Sequence, residues 1–180
     1  MHIFPAAVCL ALALALASSS AAGPPVAGRA SSSSSSSNCL CPGDVDSLVG
    51  AYVSLLSNYT DATANEYLVP DFTDTSDSIN ILAGNALGSV TFGSKQAFMQ
   101  KEEAQPDNLP IQVSSVGPVS CDKIALIWTA TFGAGRPVRG ITILTAVLNG
   151  IQWQIQSFDV EFDNMAYLVD IGGSYKLPGQ

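Results

Sequence analysis

The segment from Ile111 to Phe162 constrains the fold more than any other part of the chain. Its apolar residues recur with a period of two, which is typical of β-strands. The pattern predicts four strands, at residues 111–116, 123–132, 140–148 and 153–162. Asn149-Gly150 indicates a hairpin, and a change of apolar phase in the last strand indicates a bulge near Ser157.

Three helices are predicted ahead of these strands. The first follows Asp44 with apolar residues at helical spacing, and the second covers about residues 62–68 before Pro70. The third begins at Ser94 and ends near residue 104, with Lys101, Glu102 and Glu103 facing outward. Helices followed by consecutive antiparallel strands predict an α+β fold. A strongly bent sheet would wrap around the helices and leave a cavity between the sheet and the helices.

The amino-terminal residues indicate export from the cell. Residues 1–22 have the features of a secretory signal peptide, with an apolar run from Phe4 to Ala17 and small residues before the expected cleavage point. That run is shorter than the ~20 residues that a membrane span needs. Residues 23–38, rich in Ser, Gly and Pro, predict a flexible linker, and residues 39–176 predict the folded domain. We therefore expect a secreted, extracellular protein with no membrane segment after signal removal.

Charge and histidine content exclude several classes of function. The net charge is −8, and residues 1–22 carry no Lys, Arg, Asp or Glu, so signal removal leaves it unchanged. Nucleic acids and anionic membranes require a basic face and are not expected as partners. The single histidine, His2, lies in the predicted signal. Ser–His or Cys–His catalysis and His-based zinc sites are therefore excluded, and we expect no metal and no cofactor.

Three cysteines, Cys39, Cys41 and Cys121, lie outside the predicted signal. A secreted protein favours a disulfide, and we expect Cys121 to pair with the amino-terminal pair. Cys41 is the preferred partner because it adjoins the first helix, and Cys39 is the alternative. A redox CxC pair or a three-thiolate metal site is the less favoured interpretation. Asn58-Tyr59-Thr60 is a glycosylation sequon on the polar face of the first helix, so we expect a glycan on Asn58.

The densest group of carboxylates lies in residues 67–79, YLVPDFTDTSDSI, where Asp71, Asp74 and Asp77 are spaced by three. One interpretation is a turn whose Asp, Ser and Thr side chains bind their own backbone. Another is a site at the mouth of the cavity, with Asp74 or Asp77 as base or hydrogen-bond acceptor. We expect at most one of these two to point inward, because like charges repel in an apolar pocket. An EF-hand calcium loop is excluded, since Ser76 and Leu82 replace the required Gly and Glu.

Four residues outside that segment are further candidates. Glu161 is either an acid of the pocket or a solvated strand residue. Trp128 and Phe132 are either ligand-stacking walls or core residues, and Tyr167 either caps the open end of the barrel or packs there.

The order of these segments resembles the nuclear transport factor 2-like superfamily, whose fold is a cone-shaped α+β barrel. The likeness is carried by YVSLL, EYLVPDFTDTSDS, FGSKQAF, CDKIALIW, RPVRGITIL and EFDNMAYLVDIG. It covers about residues 41–173 and is closest to secreted fungal members of the superfamily.

The resemblance also implies where the enzymes of this superfamily would place their catalytic groups. Ketosteroid isomerases use a tyrosine, a base and a late acid. Tyr52 fits the tyrosine, but the base position falls on Ser76, beside Asp77, and the late acid falls near Leu144. Scytalone dehydratase-like chemistry needs histidines. The Asp–Arg–Asp set of epoxide hydrolases would need Arg136 or Arg139, which adjoin a Gly/Pro loop.

Three functions remain from the sequence. The first hypothesis is a small-molecule-binding module with an apolar pocket, to which Ser76, Trp128, Phe132 and Tyr167 would contribute. The second is a lyase or isomerase with Asp74, Asp77 or Glu161 as general base and Tyr52 as electrophile. The third is a non-catalytic protein that forms a homodimer through residues 141–148. A titratable carboxylate inside a closed cavity would favour the enzyme.

Overall fold

The computed structural model of the protein describes residues 38–105 and 109–179. The predicted signal peptide, residues 1–22, and the predicted linker up to residue 37 lie outside these residues. The elements in chain order are α1 (Pro42–Ser57), α2 (Asp61–Tyr67), β1 (Leu68–Thr75), α3 (Asp77–Ala83), α4 (Lys95–Glu103), β2 (Ile111–Val119), β3 (Lys123–Ala130), β4 (Val138–Asn149), β5 (Gln152–Phe162) and α5 (Asn164–Asp170).

The five strands form one sheet in the order β1-β5-β4-β3-β2. The strands β2 to β5 are antiparallel neighbours, whereas β1 runs parallel to β5. The predicted α+β fold is confirmed, and the sheet is mixed because the acidic segment adds a strand to its edge. Pro70 is tolerated there because it lies on an edge strand, in the irregular stretch of pairing between Leu68 and Thr73.

The predicted bulge in the last strand is confirmed. Thr145 pairs with Ser157, but the next residue, Ala146, pairs with Ile155, so Gln156 is an extra residue in β5. The bulge explains the change of apolar phase. It places both Ile155 and Phe158 on the buried face of the sheet.

The core lies between α1 and the inner face of the sheet. Leu48, Tyr52 and Leu55 of α1 are almost fully buried, at the helical spacing seen in the sequence. Rings from three other elements pack edge to face beside them. Phe72 lies with its ring centroid 4.9 Å from that of Phe158 and 5.2 Å from that of Phe98.

The disulfide joins Cys39, not Cys41, to Cys121. The preference for Cys41 was wrong because α1 begins earlier than predicted. Cys41 is the N-cap of α1, and its N–H donates to Asp44 Oδ2 at 2.8 Å. The Leu40 N–H donates to the Cys121 carbonyl at 2.9 Å, so the chain lies beside Cys121 two residues before the helix starts.

The strand β4 is covered on one face only in the single chain. Thr142 and Leu144 point inward and are fully buried. Ile141, Ile143 and Val147 point outward and are 50%, 40% and 37% exposed. Among the described residues, no helix is long and apolar enough to cross a membrane.

Candidate functional site

A cavity of about 440 Å³ lies between the helices and the inner face of the sheet. Its walls are mainly apolar and include aromatic side chains from α1, α4, β3, β5 and α5. The aromatic lining residues are Tyr52, Phe92, Phe98, Trp128, Phe132, Phe158, Phe162 and Tyr167. The other polar lining residues are Asp74, Asn85, Thr91, Lys101, Glu102 and Gln105. This volume is within the range of ligand pockets, roughly 300–1,000 Å³.

Trp128 forms part of the sheet wall, and Gly140 makes room for it. The two residues are partners in the pairing of β3 with β4. A Cβ atom at Gly140 would overlap the indole ring, so only glycine fits beneath it. The indole is therefore held against the sheet, where Trp128 lines the cavity.

Thr142 joins Tyr52 to Trp128, both of which line the cavity. Its Oγ1 lies 2.7 Å from the Tyr52 hydroxyl and accepts from Trp128 Nε1 at 2.9 Å. Burial raises the pKa of Tyr52 well above its usual value, so this hydroxyl stays protonated at neutral pH. Tyr52 therefore lines the cavity as a neutral hydrogen-bonding group.

Asp74 is the carboxylate of the acidic segment that reaches the cavity. Its side chain is 4% exposed, and its Oδ1 is buried and accepts no hydrogen bond from any described residue. Burial raises the pKa of Asp74 to about 7, and the nearby charge of Asp159 adds to this effect. The group is therefore close to half ionised at neutral pH.

Glu102 is a second carboxyl group of the cavity, and the prediction that it faces outward was wrong. It is 8% exposed, because it follows Phe98 by one helical turn and shares its inward face. The pKa of Glu102 is raised to about 7, first by burial and then by the charge of Asp74, while Lys101 and a hydrogen bond with Gln105 act in the opposite direction.

Ser76, Asp77 and Glu161 lie outside the cavity, at the start of α3. Ser76 caps the helix, its Oγ accepting from the Ile79 N–H at 3.1 Å. Glu161 accepts from the N–H groups of Asp77 and Ser78, at 2.8 and 3.0 Å, and from the Ser78 hydroxyl. Carboxylates are stabilised at a helix N-terminus, so these residues hold α3 against β5.

Asp77 is held in place by the loop that follows α3. Its Oδ1 accepts from the Gly88 N–H at 2.6 Å. At most one of Asp74 and Asp77 was expected to point inward. Asp74 lines the cavity and Asp77 does not.

Phe132 and Tyr167 lie together beside Phe162 on one wall of the cavity. The ring centroids of Tyr167 and Phe132 are 4.8 Å apart, and those of Tyr167 and Phe162 are 5.5 Å apart. Arg136 and Arg139 are exposed and do not line the cavity.

Asp170, which the sequence did not single out, fixes the loop that carries Phe132. Its buried carboxylate accepts from the N–H groups of Phe132, Gly133 and Arg136 at 2.6, 2.9 and 2.7 Å. These backbone hydrogen bonds lower the pKa of Asp170. No local pattern could have identified it, because its partners lie more than 30 residues earlier in the chain.

The remaining candidates concern modification and metal binding. Asn58 is exposed at the end of α1. Within residues 38–105 and 109–179, no group of three or more His, Cys, Asp or Glu side chains is placed to hold a metal ion.

Comparison with solved structures finds the same fold in proteins of distant sequence. Nuclear transport factor 2 from Cryptosporidium parvum matches with a TM-score of 0.52 and 11% identity, over 67% of this chain and 93% of its own. IdmH, a putative polyketide cyclase from Streptomyces antibioticus, matches with a TM-score of 0.51 and 14% identity, over 71% and 98% of the two chains.

An NTF2-like protein of unknown function from Silicibacter pomeroyi is 21% identical, with a TM-score of 0.47, over 67% of this chain and 94% of its own. Comparison with curated proteins finds no match. The NTF2-like domain family, in contrast, matches residues 38–174, which includes every helix and strand described above. The chain therefore belongs to the NTF2-like domain family.

Proposed function

We propose that this protein binds a small, largely apolar molecule in the cavity and that Asp74 contacts a polar group of that molecule. The observation that carries the proposal is the buried Oδ1 of Asp74, which lacks a hydrogen-bond donor among the described residues. A buried acceptor without a donor costs about 1–3 kcal/mol. A ligand that donates to this oxygen would offset that cost, and the aromatic walls would bind the rest of the ligand through apolar contact.

Binding can be tested with N-phenyl-1-naphthylamine, a neutral apolar dye that carries one N–H donor. We expect enhanced, blue-shifted fluorescence when the dye enters the cavity. Ala83→Trp should reduce binding, because Ala83 is exposed and lines the cavity, where an indole would occupy space. Ala86→Trp is the matched control, since Ala86 is also exposed but is not a lining residue. Equal dye binding by the two variants would count against the cavity as the binding site.

The second candidate function is proton transfer, as in a lyase or isomerase with Asp74 as general base. It is favoured by the pKa of Asp74, about 7, because a base works best when its pKa is near the working pH. A general probe is 5-nitrobenzisoxazole. The base removes the proton on its C3, the N–O bond breaks, and the electron pair leaves on oxygen to give a cyanophenolate.

In that assay the rate should rise with pH through about 7. Asp74→Asn should lower the rate by at least about tenfold, the lower end of what a base contributes. Asp77→Asn, outside the cavity, should leave the rate unchanged. A rate that is insensitive to Asp74→Asn would leave binding as the function to pursue.

We also propose that the protein is secreted, as in the fungal members that its sequence resembles. The Cys39–Cys121 disulfide supports an oxidising compartment, and residues 1–22 have the composition of a signal peptide. Deleting residues 1–22 should keep the protein inside the host cell. Unchanged export of the truncated chain would contradict this.

A homodimer through the outer face of β4 is a further proposal. It is supported by Ile141, Ile143 and Val147, which form an exposed apolar row on that strand. Ile143→Lys should shift the sedimentation coefficient to that of a monomer. A wild-type protein that is monomeric at high concentration would contradict it.

A further inference from the structure

The cavity combines two buried acids with aromatic rings, and the two kinds of group are neighbours. Asp74 and Phe158 are partners in the pairing of β1 with β5, so the carboxyl group and the phenyl ring lie side by side on the inner face of the sheet. Trp128 and Phe162 line the same cavity, and their ring centroids are 6.2 Å apart. Glu102 reaches it from α4.

The charges around these acids are not balanced. The charged group that acts most on Asp74 is another carboxylate, Asp159 of β5, and that on Glu102 is Asp74 itself. Lys101 on α4 is the opposing charge, and its effect on Glu102 is smaller than that of Asp74. Lys101 is exposed, so solvent screens its charge. Tyr52 of α1 contributes a neutral hydroxyl. When both acids ionise, the cavity therefore carries excess negative charge.

We infer that the cavity takes an organic cation with an apolar body, such as a protonated or quaternary amine, and that Asp74 and Glu102 are its counter-ions. This inference rests on the proposed small-molecule-binding function and names the ligand class for it. A cation beside Asp74 supplies the opposite charge that no described residue places beside this buried carboxylate. The faces of Trp128, Phe158 and Phe162 attract the same cation through their π-electrons. A neutral apolar ligand gains contact with the rings but leaves Asp74 without a counter-ion among the described residues.

Cation binding should also release protons. Both acids have a pKa raised to about 7, so each is partly protonated at neutral pH before the ligand binds. A positive charge between them favours their ionised forms, and the displaced protons pass to the buffer. The affinity for the cation should therefore rise between pH 6 and pH 8.

The test compares benzyltrimethylammonium with neopentylbenzene, its uncharged carbon isostere, by calorimetry and by ligand-observed NMR. The charge of the first probe does not change with pH, so any pH dependence comes from the protein. We expect the cation to bind at least about tenfold more tightly than the isostere at pH 8. Calorimetry in buffers of different ionisation enthalpy should show proton release at pH 7.

Substitutions of Asp74 and Glu102 test whether these two acids bind the cation. Asp74→Asn should weaken cation binding by about tenfold and change binding of the isostere by less than about twofold. Glu102→Gln should weaken cation binding in the same direction. Asp77→Asn is the control, because Asp77 belongs to the same segment but lies outside the cavity.

The results distinguish the assignment of a cation as ligand from the proposed small-molecule binding. Equal or tighter binding of neopentylbenzene would overturn the cation assignment while leaving small-molecule binding in place. Cation affinity that is unaffected by Asp74→Asn would overturn it as well. Failure of both probes and of the naphthylamine dye to bind would overturn the proposed function itself.

Discussion

An isolated antiparallel β-bridge joins the backbones of Asp74 and Phe92. The Asp74 N–H donates to the Phe92 carbonyl at 3.0 Å, and the Phe92 N–H donates to the Asp74 carbonyl at 3.1 Å. On its other side Asp74 pairs with Phe158 of β5. The backbone of Asp74 is thus fixed from both sides. Its carboxyl group is directed into the cavity by the pleat of the strand rather than by a side-chain partner.

The first prediction concerns the pH dependence of stability. The folded pKa of Asp74, about 7, lies above its ordinary value of 3.8, so between these pH values the folded protein binds more protons than the unfolded chain. The contribution of Asp74 to stability should therefore fall as pH rises from 4 to 7. Asp74→Asn removes this cost. The free energy of unfolding of the variant relative to wild type should rise by about 2–4 kcal/mol between pH 4 and pH 8.

Urea unfolding at a series of pH values measures this difference. Asp77→Asn serves as the control, because the substitution keeps an acceptor oxygen for the Gly88 N–H. Parallel pH profiles for wild type and Asp74→Asn would show that Asp74 is not buried as described.

The second prediction concerns Asp170. Its pKa is lowered by the backbone N–H groups that it accepts from, so its contribution is present at neutral pH and is lost as pH falls through its folded pKa. Asp170→Asn should lower the melting temperature at pH 7, and the difference from wild type should shrink below pH 4. The amide protons of Phe132, Gly133 and Arg136 should exchange faster in the variant.

Asp163→Asn is the control for Asp170, because Asp163 caps α5 and Asn is an equally good N-cap. If both variants melted alike at pH 7, the carboxylate of Asp170 would not be the group that holds the loop.

The third prediction concerns Thr142, which is fully buried. Thr142→Val keeps the shape of the side chain but removes the oxygen shared by Tyr52 and Trp128. Leaving buried donors unpaired should lower the free energy of unfolding by about 2–4 kcal/mol and alter the near-ultraviolet circular dichroism of the aromatic residues. Thr145→Val, which removes a solvent-exposed contact with Lys123, should change it by less than about 0.5 kcal/mol. Similar losses in the two variants would refute the role given to Thr142.

The fourth prediction concerns the disulfide, which joins residues 82 positions apart. A loop of this length stabilises the folded state by up to about 4 kcal/mol. Cys39→Ser and Cys121→Ser should each lower stability by a large part of that amount under oxidising conditions, and Cys41→Ser should have a smaller effect. Peptide mapping of the wild-type protein that finds a Cys41–Cys121 link would overturn the assignment.

The fifth prediction is that Asn58 carries a glycan when the protein is made in its native host. Asn58 is exposed, so a glycan displaces no core contact. Mass spectrometry of the peptide that contains residues 58–60 provides the measurement. A wholly unmodified peptide from secreted protein would contradict the prediction.

The strands of the sheet could be predicted because the signal is local. Along β3, Ile124, Leu126 and Trp128 alternate with less buried residues, and the structure keeps that alternation. The acidic segment was harder to predict as a strand, because Pro70 and the many Asp, Ser and Thr residues favour a turn. As a strand, the segment places Phe72 and Asp74 on one face, two residues apart, and this period would have selected Asp74 over Asp77.

The rest of the site depends on contacts between distant residues. Glu102 had a local signal, its helical spacing from Phe98, but charge favoured an outward position. Asp170 and its partners at Phe132 and Arg136 are brought together only when α5 folds back over the loop between β3 and β4. No local sequence pattern indicates a contact between residues so far apart in the chain.

The extra residue in β5 limits how this gene can change in length. Beyond Gln156, the side chains of Phe158, Val160 and Phe162 line the cavity, while Asp159 and Glu161 are exposed. Loss of the single codon for Gln156 would remove the bulge and leave these faces unchanged, because Ile155 and Ser157 would then stand opposite the consecutive residues Ala146 and Thr145. Loss of the codon for Asp159 would instead move Glu161 into the cavity and turn Phe162 towards solvent, because side-chain direction alternates along a strand. Among descendants of this sequence, single-residue deletions within β5 should therefore survive at the bulge and not beyond it.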